Sequence, residues 1–354
     1  MKNNFATALA TPNIALIKYW GRRDNTGLNL PNNSSISMTL DENLNTKTTV
    51  MLSDEINEDI LYINKIKEDI SGSKASEKSK YIKNTLESMK KLAKIEKNFI
   101  VISENNFPSG AGIASSASGA AALICALNEL LKLKMSTKQL SIMARKISGS
   151  ACRSVYGGIV KWRVGSKKDG GDSFAEKIFD EKYWKELVDI IAVVDANTKK
   201  VSSSIGHEAT VKTSVLYENR VSFAEKGVFS VEKAIKNKDI DMLSLAVMRD
   251  SNNMHATMLD TWPPIMYLND SSKEIMYKIH ELNEQKNRCI AGYTFDAGPN
   301  AHIITTDIHK EEVLNAIKDI KGIKNIIESH QGKGPRILGK NESLLDEKTL
   351  LPKR

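Results

Sequence analysis

Apolar residues alternate with polar ones in some stretches of this chain and recur every three or four positions in others, and these two periods mark out its elements. FIVISE (99–104) alternates and predicts a strand. TKTTVMLS (46–53) and ILYINK (60–65) read as a hairpin pair, followed by a polar surface loop, EDISGSKASEKSK (68–80). Strands are also expected at GGIVKWRV, VDIIAVVD, IAGYTFDAG, AHIITTD and KNIIES. Ile82, Leu86, Met89 and Leu92 recur at helical spacing and predict a helix over 81–95. MSTKQLSIMARK (135–146) opens on Ser/Thr and carries an apolar period, so it reads as another helix. Residues 210–286 are mainly helical, broken at Pro263 and Pro264, and EEVLNAIKDI adds a later helix. The alternation predicts an α+β protein of two closely packed domains, residues 1–190 and 191–354.

Composition narrows the class. The chain has 354 residues, 41% hydrophobic and 27% charged, ordinary values for a globular protein. No apolar run is long enough to span a bilayer, and MKNNFATALATPN lacks the apolar core of a signal peptide. Three cysteines, Cys125, Cys152 and Cys289, have no metal-ligand spacing, so no protein-held metal is expected and a reduced, cytoplasmic setting is. The net charge of +8 suits an anionic partner. Lysines are scattered and aromatics make up only 6%, without arginine between them, so a small anionic metabolite is expected and nucleic acid is not.

The most informative block is NNFPSGAGIASSASG (105–119), a glycine–serine turn running from a strand into an alanine-rich helix. Gly110 and Gly112 permit positive φ, while Ser115, Ser116 and Ser118 supply hydroxyls at or near the helix start. Such a start presents free N–H groups to an anion, although a plain capped core helix would read similarly. There is no Gly-Lys-Ser/Thr ending, so the loop is not of Walker type.

Other constellations surround it. In NIALIKYWGRRD (13–24), strand alternation puts Lys18 on the opposite face from Ile17 and Tyr19, either as an edge residue or as an anion ligand. Arg22 and Arg23 add forked donors, and the polar run 32–39 either lines the same cleft or makes a turn. SGSACRSVYGG (148–158) reads as a second helix start, with Ser148, Gly149 and Ser150 as donors and Arg153 one turn in as a carboxylate clamp. KKVSSSIGH (199–207) is a weaker loop signal with Ser202, Ser203, Ser204 and His207. In GYTFDAGPN (292–300), Asp296 stands at a strand end before a Gly-Pro bend, either poised over a cleft or making an Asx turn.

Together, NIALIKYWG, LPNNSSISMTL, NFPSGAGIASSASG, SGSACRSVYGG, MHATMLDTWPP and YTFDAGPN, in order along most of the chain, resemble the diphosphomevalonate decarboxylases. These belong to the superfamily of galactokinase, homoserine kinase, mevalonate kinase and phosphomevalonate kinase. The resemblance implies a small-molecule-kinase-like fold with the site in the cleft between two domains, a homodimer, and ATP with Mg²⁺ as co-substrate. It implies that Ser109, Gly110, Gly112, Ser115 and Ser116 hold ATP, and that Asn13 and Arg153 hold the carboxylate of a phosphorylated mevalonate. Lys18, Tyr19, Arg22, Ser148, Ser150, Ser203 and His207 would surround its phosphate end, and Asp296 would act on the tertiary 3-hydroxyl. Arg22, Ile147, Ser204 and His207 depart from the usual family residues, all near the 5-phosphate end. That leaves open an ATP-independent mevalonate 3,5-bisphosphate decarboxylase and a phosphomevalonate decarboxylase beside the main expectation.

Overall fold

In the computed structural model, which describes residues 5–23, 27–73, 75–107, 115–194 and 201–353, the alternating segments pair into three main sheets. The first part of the chain forms β1 (Phe5–Ala10), β2 (Asn13–Ile17), β3 (Ser35–Thr39), β4 (Thr46–Ser53), β5 (Ile60–Ile63), β6 (Ile66–Glu68), α1 (Glu77–Ala93), β7 (Asn98–Asn105), α2 (Ser115–Leu130), α3 (Thr137–Ile147), β8 (Ile159–Trp162) and β9 (Ala175–Phe179). The rest adds β10 (Leu187–Val193), α4 (Ser203–Thr213), α5 (Tyr217–Asn237), α6 (Ile240–Leu259), α7 (Asp270–Gln285), β11 (Gly292–Phe295), β12 (Ala301–Thr306), α8 (Lys310–Ile317), β13 (Asn325–His330) and β14 (Arg336–Ile337). One sheet runs β14-β1-β4-β7-β5-β6, a second β2-β3-β8-β9 and a third β11-β12-β10-β13.

The expected hairpin of 46–53 with 60–65 does not form. β7 lies between the two strands, antiparallel to β4 (Thr46↔Asn105) and parallel to β5 (Ile60↔Ile100). Burial decides this: Phe99, Ile100, Val101 and Ile102 are all buried, a continuous apolar run that belongs inside a sheet. β5 is mostly half-buried and takes the outer place beside β6. The surface loop expected to 80 ends sooner, because Ser76 caps α1 by accepting from the Ser79 N–H at 3.1 Å. Leu92, expected on the apolar face, is 56% exposed. Ten residues beyond Ile82, it lies about 80° around the helix from that stripe.

α2 packs against β1 and β4 almost without polar surface, and its small residues allow the close approach: Ala117, Ala120, Ala121, Ala122 and Ala126 are buried there. α5 and α6 pair between the second and third sheets, where Ile14, Leu16, Ile36 and Met38 meet Val228, Val231, Leu243, Val247 and Ile191. α7 and α8 cover the other face of the third sheet. After β13 the chain returns to the first sheet, where Ala8 pairs with Ile337. Gln331 Nε2 donates to Trp184 O at 2.5 Å, so the chain's way into the third sheet and its way out lie side by side.

Candidate active site

The ends of β2 and β11, the starts of α1, α2 and α4, and the turn at 148–154 meet around one cleft of about 610 Å³. β2 stops at Ile17, after a register shift between Ala15 and Ile17, so Lys18 leaves the sheet rather than alternating across it. Its Nζ donates to Asp296 Oδ1 at 2.6 Å; Lys18 is 2% exposed and the Asp296 side chain 29%. The Lys18 backbone is clamped as well. Its N–H donates to Asp250 Oδ2 at 2.8 Å, while its carbonyl accepts from Arg220 Nη2 at 3.1 Å and Asn33 Nδ2 at 3.0 Å. Arg220 and Asp250, on α5 and α6, are themselves ion-paired at 2.6 Å with neither exposed. A buried pair that also serves both polar groups of one peptide fixes where the lysine emerges.

The stretch Gly149–Cys152, expected as a helix start, is a single 3₁₀ turn, and Arg153 follows it buried. Arg153 Nε donates to Asn13 Oδ1 at 3.1 Å and Nη1 to Ser35 Oγ at 2.7 Å, while the guanidinium lines the cleft. Burial lowers its pKa, and Asp296 is among the charges that oppose this. Asn13 donates to Ser154 Oγ at 2.8 Å and Ser150 O at 3.3 Å, so both ends of its amide are engaged behind Arg153. Of the 32–39 run, Ser35–Thr39 is β3 rather than a turn, and it supports the cleft from below.

At the opposite end, Arg22 Nη2 donates to Ser204 Oγ at 2.6 Å and Ser204 O at 3.0 Å, and Nη1 to Asn29 Oδ1 at 3.0 Å. Burial opposes its charge, but Tyr19, Tyr81 and Glu77 outweigh this and raise its pKa. Arg23 turns away and bonds the carbonyls of Gly165 and Lys167 at the surface. Ser202 caps α4, so the serine run begins a helix rather than a loop. Ser204 Oγ donates across the cleft to Glu77 Oε1 at 2.7 Å.

Lys18, Tyr19, Arg22, Ser115, Ser116, Ser148, Ser150, Arg153, Ser203, His207 and Asp296 all line this cleft. Asn13 stands behind it. Ser109, Gly110 and Gly112 lie outside the described residues. Sequence reading missed Glu77, Lys78 and Tyr81, which line the cleft from the start of α1; their segment, EKSKY, carries the alternating charge of a solvated helix face. It also missed Arg220 and Asp250, which nothing local distinguishes from ordinary helix-surface charges. Among the described residues, no three His, Cys, Asp or Glu side chains gather as a metal site, and no helix is long and apolar enough to cross a membrane.

An acid gripped by a buried lysine, facing an arginine with donors to spare, is equipment for proton transfer on an anionic metabolite, and the molecule is an enzyme of small-molecule chemistry. Its family follows from comparison with known proteins. Residues 10–175 match the diphosphomevalonate decarboxylase-like N-terminal domain, and residues 189–338 the mevalonate 5-diphosphate decarboxylase C-terminal domain. The chain belongs to the diphosphomevalonate decarboxylase family. It is 44% identical to the diphosphomevalonate decarboxylase mvd1 of Aspergillus fumigatus, over 90% of this chain and 80% of that one. A crystal structure of mevalonate 5-diphosphate decarboxylase superposes with TM-score 0.86 and 36% identity, covering 98% and 100% of the two chains. A structure of MDDEF in complex with MVAPP, AMPPCP and magnesium superposes with TM-score 0.84 and 33% identity, covering 95% and 99%. The expected family and two-domain α+β fold are borne out.

Proposed function

We propose that this chain is an ATP-dependent diphosphomevalonate decarboxylase that releases CO₂ and phosphate to give isopentenyl diphosphate. The observation that carries the reading is the Lys18–Asp296 pair at 2.6 Å in the cleft that Arg153 and the start of α2 also line. Asp296 accepts the proton of the tertiary hydroxyl, and Lys18 holds that carboxylate in place. Arg153, braced by Asn13 and Ser35, grips the substrate carboxylate and keeps it aligned as it departs. Arg22, Ser148, Ser150, Ser203 and His207, with Tyr19, face the phosphate end.

The chain fits a Mg²⁺-nucleotide. Ser115 and Ser116 open α2 at the cleft, and Ser148 Oγ lies 3.4 Å from Ser116 Oγ, which leaves hydroxyls for phosphate and metal. Mg²⁺ takes few protein ligands when phosphates supply the others, so the lack of an acidic cage among the described residues suits it. When bound, ATP supplies the phosphoryl group that turns the hydroxyl into a leaving group. Ser109, Gly110 and Gly112 complete the nucleotide site in this reading. A division into domains near residue 190, a homodimer and a cytoplasmic setting complete the proposal; the three free cysteines agree with the last.

The test is CO₂ and ADP release by purified protein given each phosphorylated mevalonate, with and without Mg-ATP. Equal CO₂ and ADP from the 5-diphosphate, and none without ATP, is the expected result. CO₂ from the 3,5-bisphosphate without ATP, and none from the diphosphate with it, would overturn the reading. ADP without CO₂ would make the protein a kinase.

A further inference from the structure

His207, in the second turn of α4, is 7% exposed and its ring lies between those of Tyr19 and Trp20, at centroid distances of 4.5 and 4.2 Å. The Gly21 N–H donates to its Nδ1 at 2.6 Å. A backbone amide can only donate, so Nδ1 carries a lone pair and the ring proton of the neutral form sits on Nε2. Among the described residues Nε2 has no hydrogen-bond partner, and the ring lines the cleft.

The backbone that His207 grips has little freedom. Gly21 has φ +92°, and a Cβ there would lie 1.7 Å from Tyr217 Oη. Tyr217 OH donates to Trp20 O at 3.1 Å. The peptide joining Trp20 to Gly21 is therefore held at its oxygen by α5 and at its N–H by α4. Arg22 follows at once, and its fork reaches Ser204 on the same helix as His207. Burial and the charge of Arg22 push the imidazole pKa down to about 3, so the ring stays neutral.

We propose that His207 positions the Tyr19–Arg22 segment through Gly21 and turns its Nε2–H into the cleft as an uncharged donor to a phosphate oxygen of the substrate. The identity of that substrate rests on the proposed reaction; the tautomer does not. An uncharged donor adds a directional contact beside Arg22 without adding a second cation to be desolvated.

Two variants separate the two roles. In His207→Asn the amide oxygen takes the place of Nδ1 and keeps a partner for Gly21, but no donor reaches the position of Nε2. His207→Phe keeps the stacking and loses both. For His207→Asn, which gives up the stacking, we expect a modestly lowered melting temperature, with inorganic pyrophosphate binding weakened about tenfold and KM raised in step while kcat falls far less. His207→Phe should lose more, with kcat falling as well because Arg22 is no longer held. Nitrogen-15 NMR of histidine-labelled protein should show, among the imidazoles that do not titrate between about pH 5 and 8, one protonated at Nε2 only whose signals vanish in His207→Asn. A His207 ring that titrates in that range, or His207→Asn protein that binds pyrophosphate as tightly as wild type, would overturn the proposal. A wild-type protein that binds pyrophosphate but turns over no phosphorylated mevalonate would undo the reaction instead and leave His207's role as a phosphate donor standing.

Discussion

Replacing Asp296 with asparagine keeps the outline of the cleft and removes one negative charge. Its effect on stability follows from Lys18, whose Nζ is 2.6 Å from Asp296 Oδ1 and which is 2% exposed. With an effective dielectric of about 20, the attraction at that spacing is roughly 6 kcal/mol before the cost of taking both ions out of water is counted. Breaking a fully buried pair from one side costs about 3–5 kcal/mol. Water reaches Asp296, 29% exposed, so the lower part of that range applies. The variant should therefore unfold about 3–4 kcal/mol more easily in urea. The double variant Lys18→Met/Asp296→Asn should regain part of this, because no charge is left unpaired. Turnover is affected differently: losing the proton acceptor should lower kcat by about 10²–10⁴-fold, with little change in KM because the arginines still hold both anionic ends. Urea melts and CO₂ release check both parts. A kcat within about tenfold of wild type would remove Asp296 from the chemistry, and a double variant no more stable than Asp296→Asn would refute the charge argument.

Arg153→Lys conserves charge but cannot reach Asn13, Ser35 and a carboxylate together, so kcat should fall about 100-fold; a change confined to KM would mean simple binding. Asp250→Asn should cost about 3–5 kcal/mol in urea unfolding, because it strands the buried Arg220, and an unchanged midpoint would refute the clamp on Lys18. Stability should also fall with acidity. His207 and His255 have pKa values lowered by burial from 6.5 to about 3 and about 4, so the unfolded chain binds protons that the folded one refuses. Their contribution is complete above about pH 6.5 and erodes as pH drops below it, and urea midpoints that stay level between about pH 7 and 4.5 would contradict this.

Much of this was legible in the sequence where the signal is local. The alternation of FIVISE, the small residues of α2 and the acid before Gly298-Pro299 each depend on neighbours along the chain, and each stands where expected. What failed depends on neighbours in space. β5 joins β7 rather than β4 because the strand carrying the buried run Phe99–Ile102 takes a place inside the sheet. Periodicity marks which face of α5 is buried, but not that Arg220 on that face meets Asp250 across from the end of β2. Asn13 lies in a motif associated with substrate, yet its amide is spent on Arg153 and Ser154. Lys78, within the polar segment 68–80 expected at the surface, is open to water, but protein crowds around it in the mouth of the cleft and lowers its pKa.

The contact between Gln331 and Trp184 bears on how the cleft keeps its shape. Both covalent passages between the third sheet and the rest of the chain are stitched together at this one spot, and the core shared by Ile14, Val228 and Ile191 seats that sheet against the second. An incoming anion therefore meets a preset gap: Ser204 stands opposite Glu77 with the Arg22 fork already engaged.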